Sequence, residues 1–299
     1  MIGKGSLKVT DFIAFLDSNP SVRSVELGNS GEAVLNASMD SILREAHARG
    51  VATSFDQGVN FNHVTDATLE AMVACGTTVL RVSLDGATPQ SYAKYRIGGS
   101  FRTVILNIAK LNAIKKAHGS TTPTLVLQFI LFSHNEHEVE AARMLASMLQ
   151  ARLELRLNWS DTRFAASDRN QTARLVGYAD RAEYTAATGR HYAGHECLHL
   201  WTSPQINWNG ALLGCGHNHW QTMATDVLNE SFIDAVNGQA MRSARDVVRG
   251  LKTADENDPC SRCGVYAAMR RSGHWIQDEE INQATVFGGH CAGPAGEMR

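Results

Sequence analysis

Up to about residue 157 the sequence alternates short apolar, often β-branched runs with longer runs whose apolar positions recur every three or four residues. This is the pattern of βα units around a parallel sheet. It predicts strands over Val22–Gly28, Val51–Phe55, Thr78–Leu84, Thr124–Phe132 and Leu153–Leu157. Helices are predicted between them: Asn36–Arg49, capped by Asn36 or Ser38 and stopped by Gly50; Thr65–Cys75, stopped by Gly76; Phe101–His118, stopped by Gly119; and Glu136–Gln150. One further helix, Thr10–Asp17, precedes every strand. In a βα repeat each helix follows a strand, so this opening predicts a unit whose first strand, with its loop, is missing.

From Ser160 to Ala193 the periodicity fades into polar sequence, read as an irregular or partly helical linker. A second module starts near His195. Its clearest element is a hairpin of Gln205–Trp208 and Ala211–Cys215 about Asn209-Gly210, a dipeptide suited to the positive φ angles of a two-residue turn. A helix over Gln239–Gly250 leads into Cys260 and Cys263, and the tail after Gly288 is expected to be loose. The expected organisation is therefore a barrel-like core over 1–160, a linker over 161–194 and a small Cys-rich module over 195–299.

The chain has 299 residues, 43% of them hydrophobic, enough to bury a substantial core, and a net charge of -2. That balance leaves no electrostatic footprint for nucleic acid, since no basic cluster is denser than Lys115-Lys116 or Arg270-Arg271. The first 16 residues do not read as a signal peptide, and no stretch approaches the ~20 apolar residues of a membrane span. A cytoplasmic setting is expected. Thiols stay reduced there, so the six cysteines read as ligands before disulfides.

Cys197, Cys215, Cys260 and Cys263 make a four-thiolate shell suited to Zn or to an iron–sulfur cluster. His195, His199, His217 and His219 flank two of them; one could replace a cysteine, though a flanking histidine is more often structural. Cys75 reads as a small buried hydrophobe and Cys291 as a spare thiol or late ligand.

Other candidates follow strand ends, where parallel sheets place ligands. Glu32 could accept hydrogen bonds from an ammonium group or be a solvated loop residue. Ser83 and Asp85, two apart on one strand, would face the same side and suit a ribose; Asp85-Gly86 could equally be a turn before a helix capped by Thr88. Gln128 interrupts an apolar strand and either faces a pocket or is a satisfied core amide. Asn135, Asn158 and Asp161 are weaker candidates for substrate contacts, and Trp159 is expected to pack.

Three stretches, Val25-Glu26-Leu27-Gly28-Asn29-Ser30-Gly31-Glu32, Arg81-Val82-Ser83-Leu84-Asp85-Gly86 and Tyr95-Arg96-Ile97-Gly98-Gly99, together resemble the core of radical S-adenosylmethionine (radical SAM) enzymes. Leu200 to Gly210 leading into Cys215 resembles the SPASM/twitch auxiliary-cluster domain that follows that core. The likeness runs from about Lys8 to Tyr266. It implies a partial (β/α)6 TIM-like barrel lacking its first strand, with SAM at Gly31, Glu32, Ser83, Asp85 and Gln128. It also implies one auxiliary [4Fe-4S] cluster on Cys197, Cys215, Cys260 and Cys263, Zn being the chemical competitor. Longer SPASM domains carry further ligands where this chain has Met269 and Gly273. The activity implied is cleavage of SAM to a 5'-deoxyadenosyl radical that modifies a peptide, sugar or small molecule, with a reductant such as flavodoxin or ferredoxin.

The family's CxxxCxxC loop, which holds the SAM-cleaving cluster, is absent from this sequence, whose first cysteine is Cys75. It belongs in the element that the strand count leaves out. A start assigned downstream, a shortened chain or a remnant that no longer cleaves SAM would each explain this. The chain as given is therefore expected to be inactive, and its catalytic residues are unassigned. The alternative is a non-catalytic Fe–S or Zn-binding partner or scaffold protein.

Overall fold

The computed structural model describes residues 3–28, 30–159 and 162–286. Asn29, Asp161 and Cys291, singled out above, lie outside them. Two compact units divide the described residues: Ser21–Asp180, and 3–20 together with 181–286. These differ from the expected boundaries in one instructive way. Helix α1 (Val9–Ser18) belongs with the C-terminal segment, where Phe15 meets Phe232 edge-on at 5.4 Å between ring centroids. Its apolar side, Phe12, Phe15 and Leu16, is buried, whereas the expected organisation placed it with the barrel-like core.

The unit Ser21–Asp180 is a five-stranded parallel sheet with its helices. In chain order it contains β1 (Ser24–Glu26), α2 (Met39–Ala48), β2 (Ala52–Val59), α3 (Asp66–Ala74), β3 (Val79–Ser83), α4 (Pro89–Tyr95), α5 (Phe101–His118), β4 (Thr124–Leu131), α6 (Val139–Met148), β5 (Arg152–Leu157) and α7 (Arg169–Val176). The strands lie side by side in sequence order, every pair parallel. Each new strand adds on the same edge, so crossovers of one hand collect the helices on one face and leave the other uncovered by them.

Local chemistry explains the boundaries. Helix α5 spans the expected residues because both stops are local: Ser100 Oγ accepts from the Thr103 N–H at 3.2 Å, and Gly119 closes the helix at φ +61°. The strand expected over 22–28 shortens to three residues at the sheet edge, where only β2 pairs with it. Helix α4 is the Thr88-capped helix that the turn reading of Asp85-Gly86 anticipates. Thr88 and Ser91 form a capping box with Pro89 at the first helical position, and Glu138 holds that start by accepting from the Ala87 N–H at 2.9 Å and the Thr88 hydroxyl at 2.8 Å. The segment expected to be a linker contains α7 and also α8 (Arg181–Thr188), the first helix of the other unit's C-terminal part. Trp159, expected to pack, is 52% exposed.

Register divides the sheet into two unlike faces, because paired residues of parallel strands project the same way. Leu80, Val82, Leu125, Leu127, Phe129 and Leu131 form one apolar face, all of them buried. The other face carries Ser83, Gln128 and Glu154 in one row across β3, β4 and β5.

After α8, the unit of residues 3–20 and 181–286 continues with α9 (His199–Thr202), β6 (Gln205–Ile206), β7 (Leu212–Gly214), α10 (Phe232–Val236), α11 (Gln239–Val248), α12 (Gly264–Ser272) and α13 (Asp278–Val286). Strands β6 and β7 form the expected antiparallel hairpin, but its turn is longer than expected. Gly210 N–H donates to Asn207 C=O at 2.9 Å and Asn207 N–H to Ala211 C=O at 2.8 Å, leaving three residues in the loop. Only Gly210 has positive φ, +84°, so this is a turn closed by a glycine bulge and not an Asn-Gly two-residue turn. Leu200, Leu212, Met241, Val247 and Val265 form the core of this unit together with Cys197, Cys260 and Cys263.

Candidate functional site

The polar face of the sheet is held by ion pairs. Arg81 on β3 donates Nε to the Asp56 C=O at 2.6 Å, pairs with the Asp56 carboxylate of β2 at 2.7 Å and, across β4, with Glu154 of β5 at 2.6 Å. Arg156 braces Glu154 at 2.7 Å. These charges saturate one another. Further along the strands, Ser83 and Gln128 are each 8% exposed, and neither side chain makes a hydrogen bond among the described residues. Gly58 opens room beside them, since a Cβ there would stand 3.3 Å from Ser83 Oγ.

Glu32 follows β1 at its carboxyl end, after Gly31, whose φ of +100° an L side chain resists. Its Oε2 accepts from the Asn60 N–H at 2.7 Å, while its Oε1 is buried with no partner. Burial pushes the carboxyl above its ordinary range, opposed by that N–H, by the Val34 N–H and by the positive charge of Arg96. A half-satisfied buried carboxylate is costly unless a donor, best a cation, completes it.

Asp85 does not share the side of Ser83 as expected. Strand β3 ends at Ser83 and Asp85 turns into left-handed conformation, φ +52°, which sends its side chain into the protein. It is fully buried; Oδ1 accepts from the Ile130 N–H at 2.8 Å and Oδ2 from Arg96 Nε at 2.8 Å. Both oxygens are therefore engaged, and the turn reading describes its surroundings. Asn135 is also fully engaged: its amide donates to the Asp85 and Ile130 carbonyls at 3.0 and 2.8 Å and accepts from the Phe132 N–H at 2.8 Å. It fixes the loop after β4 and has nothing left for a substrate.

Sequence reasoning missed the groups that hold Glu32. Asn60, Phe61 and Asn62, just past β2, are each tied to a different element. Asn60 N–H holds Glu32, Phe61 C=O accepts from Asn107 of α5 at 2.8 Å, and the Asn62 amide donates to the Tyr92 hydroxyl at 2.7 Å. The only signal was the alternation Asn-Phe-Asn, polar on either side of a fully buried Phe61.

In the other unit, the four expected cysteines line one cavity with Leu200, Met223 and Val248 and without a histidine. All are free thiols. The space open to the centre of a water-sized sphere is about 10 Å³. Among the described residues no three His, Cys, Asp or Glu side chains meet at the spacing of a single-ion site. Burial pushes all four thiols up, Cys215 to about 11 and Cys197 well above the ordinary thiol range, where the three neighbouring sulfurs add to the effect. Thiols so placed ionise only when a positive centre compensates, and soft donors of this kind fit an iron–sulfur cluster or Zn. His217 instead meets Glu196 at 3.5 Å. Cys75 is half-buried at the end of α3.

No family model matches the sequence, and no curated protein does. Solved structures match in shape. SuiB of Streptococcus suis bound to S-adenosylmethionine superposes with a TM-score of 0.59 at 12% identity, over 88% of this chain and 65% of that one. Native anSMEcpe with bound AdoMet gives 0.60 at 8% identity, over 95% and 87%. The chain has the fold of SuiB and anSMEcpe. SuiB with its precursor peptide SuiA gives 0.57 at 12% identity, over 88% of this chain and 64% of that one, so this chain spans about two thirds of SuiB's length. At such identities the likeness is one of fold, and no helix of the described residues is long and apolar enough to cross a membrane.

Proposed function

We propose that this chain is the body of a radical SAM protein: a SAM-binding partial barrel followed by an auxiliary-cluster module of the SPASM/twitch kind. The observation that carries the reading is the set of unengaged polar groups at the carboxyl ends of the strands. Glu32 Oε1 is buried without a partner and, among the described residues, Ser83 Oγ and the Gln128 amide make no hydrogen bond, and SuiB and anSMEcpe, which share this fold, are both known with SAM bound. The sequential parallel order, with Arg81 bridging β2 and β5 over the polar face, supports a sheet curled as a partial barrel around it.

In this reading Glu32 accepts the ammonium of SAM, and Ser83 and Gln128 take its hydroxyl and heteroatom groups. Asp85, bound to Arg96, shapes the loop beside them and does not touch the ribose. SAM, when bound, supplies the 5'-deoxyadenosyl group whose radical abstracts hydrogen; the chain binds and orients it. The sequence given has no CxxxCxxC, so the reading assigns it SAM binding and not SAM cleavage.

Cys197, Cys215, Cys260 and Cys263 would hold one auxiliary [4Fe-4S] cluster. Four thiolates also suit Zn, which stays the chemical competitor at this site; the cluster is favoured because the stretch leading into Cys215 resembles the auxiliary-cluster domain. A peptide substrate is the class we favour, because SuiB and anSMEcpe are both known with peptides bound. A cytoplasmic setting with a flavodoxin- or ferredoxin-like reductant completes the proposal.

Isothermal titration with SAM tests it. The expected result is binding that Glu32→Gln weakens about tenfold, the worth of one charge-assisted hydrogen bond. Metal uptake without SAM binding would favour a non-catalytic cluster or Zn scaffold, a reading that the absent CxxxCxxC keeps open.

A further inference from the structure

Glu32 is held by a relay that ends at Asn62. The two asparagines just past β2 fold back on each other: Asn60 Oδ1 accepts from both the backbone N–H, at 3.1 Å, and the side-chain amide of Asn62. Asn62 is in turn anchored from two sides. Its amide donates to the hydroxyl of Tyr92, a residue 1% exposed, at 2.7 Å, and its Oδ1 accepts from the Ser100 N–H at 2.6 Å. The chain approaches so closely here that a Cβ on Gly99 would lie 2.9 Å from the Tyr92 hydroxyl and 3.0 Å from Asn62 Nδ2. Every hydrogen-bonding group of the Asn62 side chain is therefore used, and the backbone of residue 60 is fixed. That backbone presents the N–H that donates to Glu32 Oε2 at 2.7 Å, a stronger hold on this carboxylate than the Val34 N–H beside it.

A carboxylate pinned by one oxygen offers the other in a fixed direction. A carboxylate free to rotate would swing both oxygens toward water and neighbouring donors. We propose that Asn62 is a positioning residue which, through Asn60, aims Glu32 Oε1 and so sets the preference of this site for an amine-bearing ligand. The inference rests on Glu32 being the ammonium acceptor; it adds the group that makes that acceptor selective. Asn62 touches neither ligand nor Glu32.

The test compares SAM with its deaminated analogue, in which hydrogen replaces the amino group, by titration against the full chain. Wild type should prefer SAM, and Glu32→Gln should abolish the preference. Asn62→Ala should reduce it about tenfold, by weakening SAM while leaving the analogue within about twofold. Tyr92→Phe removes a single anchor of Asn62 and should reduce the preference less, about twofold to threefold. It serves as the second variant should Asn62→Ala not fold, and a full wild-type preference in Tyr92→Phe would then overturn the proposal. A folded Asn62→Ala that keeps the preference overturns it, as does equal weakening toward both ligands, which marks a merely structural residue. If wild type shows no preference, or Glu32→Gln keeps it, the assignment of Glu32 has failed and the inference falls with it.

Discussion

The polar face of the sheet and the cysteine cavity solve opposite problems. On the sheet, Arg81, Asp56, Glu154 and Arg156 neutralise one another, and only small, separate groups such as Glu32 Oε1 are left wanting. In the cavity four thiols face apolar walls with no cation among its lining residues, and each must stay protonated until one arrives. One site is built in advance of its ligand, whereas the other acquires its charge together with its occupant. Stability and ligand binding should therefore be nearly independent in the first and inseparable in the second.

Loading with iron and sulfide under anaerobic conditions gives the largest effect. Calorimetry should show the transition of the cysteine-bearing unit rising by on the order of 10 °C while that of the sheet unit stays in place. Equal movement of both, or of neither, would break the contrast. Next comes Asp85→Ala, which strands the Arg96 guanidinium and the buried Ile130 N–H; urea unfolding should report a loss of about 3–5 kcal/mol. A loss below about 1 kcal/mol would mean that the pair does not hold its loop.

The unloaded cysteine unit should also respond to base. A folded thiol whose pKa is raised keeps its proton where the unfolded one has lost it, so the stabilisation is complete below the unfolded value and disappears as pH climbs to the folded one. For Cys215 that window runs from 9.0 to about 11, and the melting temperature of the unloaded protein should fall across it while that of the loaded protein does not. Smallest of all is Glu32→Gln on the unliganded chain. Burial already disfavours its charge, so stability should change by no more than about 0.5 kcal/mol. A loss above about 2 kcal/mol would make Glu32 a structural carboxylate and erase the distinction between the two sites.

What the sequence revealed depended on how local the cause was. Helix α5 is bounded by Ser100 and Gly119, both of which act within a turn, and its limits were legible to the residue. Strand β4 announces itself by an apolar run that a parallel sheet must bury, and β5 by the alternation of charged residues with Leu153, Leu155 and Leu157 at the sheet edge. The partner of α1 was not legible, because an apolar stripe of Phe12, Phe15 and Leu16 states that something covers it without stating what. Asp85 misled for a related reason: alternation along a strand holds only while the strand continues, and the chain leaves it at Ser83. Sequence reasoning reaches the candidate site where a side chain would carry its chemistry, at Glu32, Ser83, Gln128 and the cysteines. It misses the site where a backbone group would, since the N–H of Asn60 looks like every other N–H in the sequence.

The pairing of α1 with residues 181–286 also bears on how the chain is made. During synthesis Phe12, Phe15 and Leu16 emerge about 200 residues before Phe232, which Phe15 meets. At roughly 5–20 residues per second that is a delay on the order of 10–40 s. The five strands between them can pair one after another as they appear, each beside its predecessor. Helix α1 therefore cannot complete its contact with Phe232 until long after the sheet's five strands are available to pair, and its apolar stripe lacks that partner meanwhile.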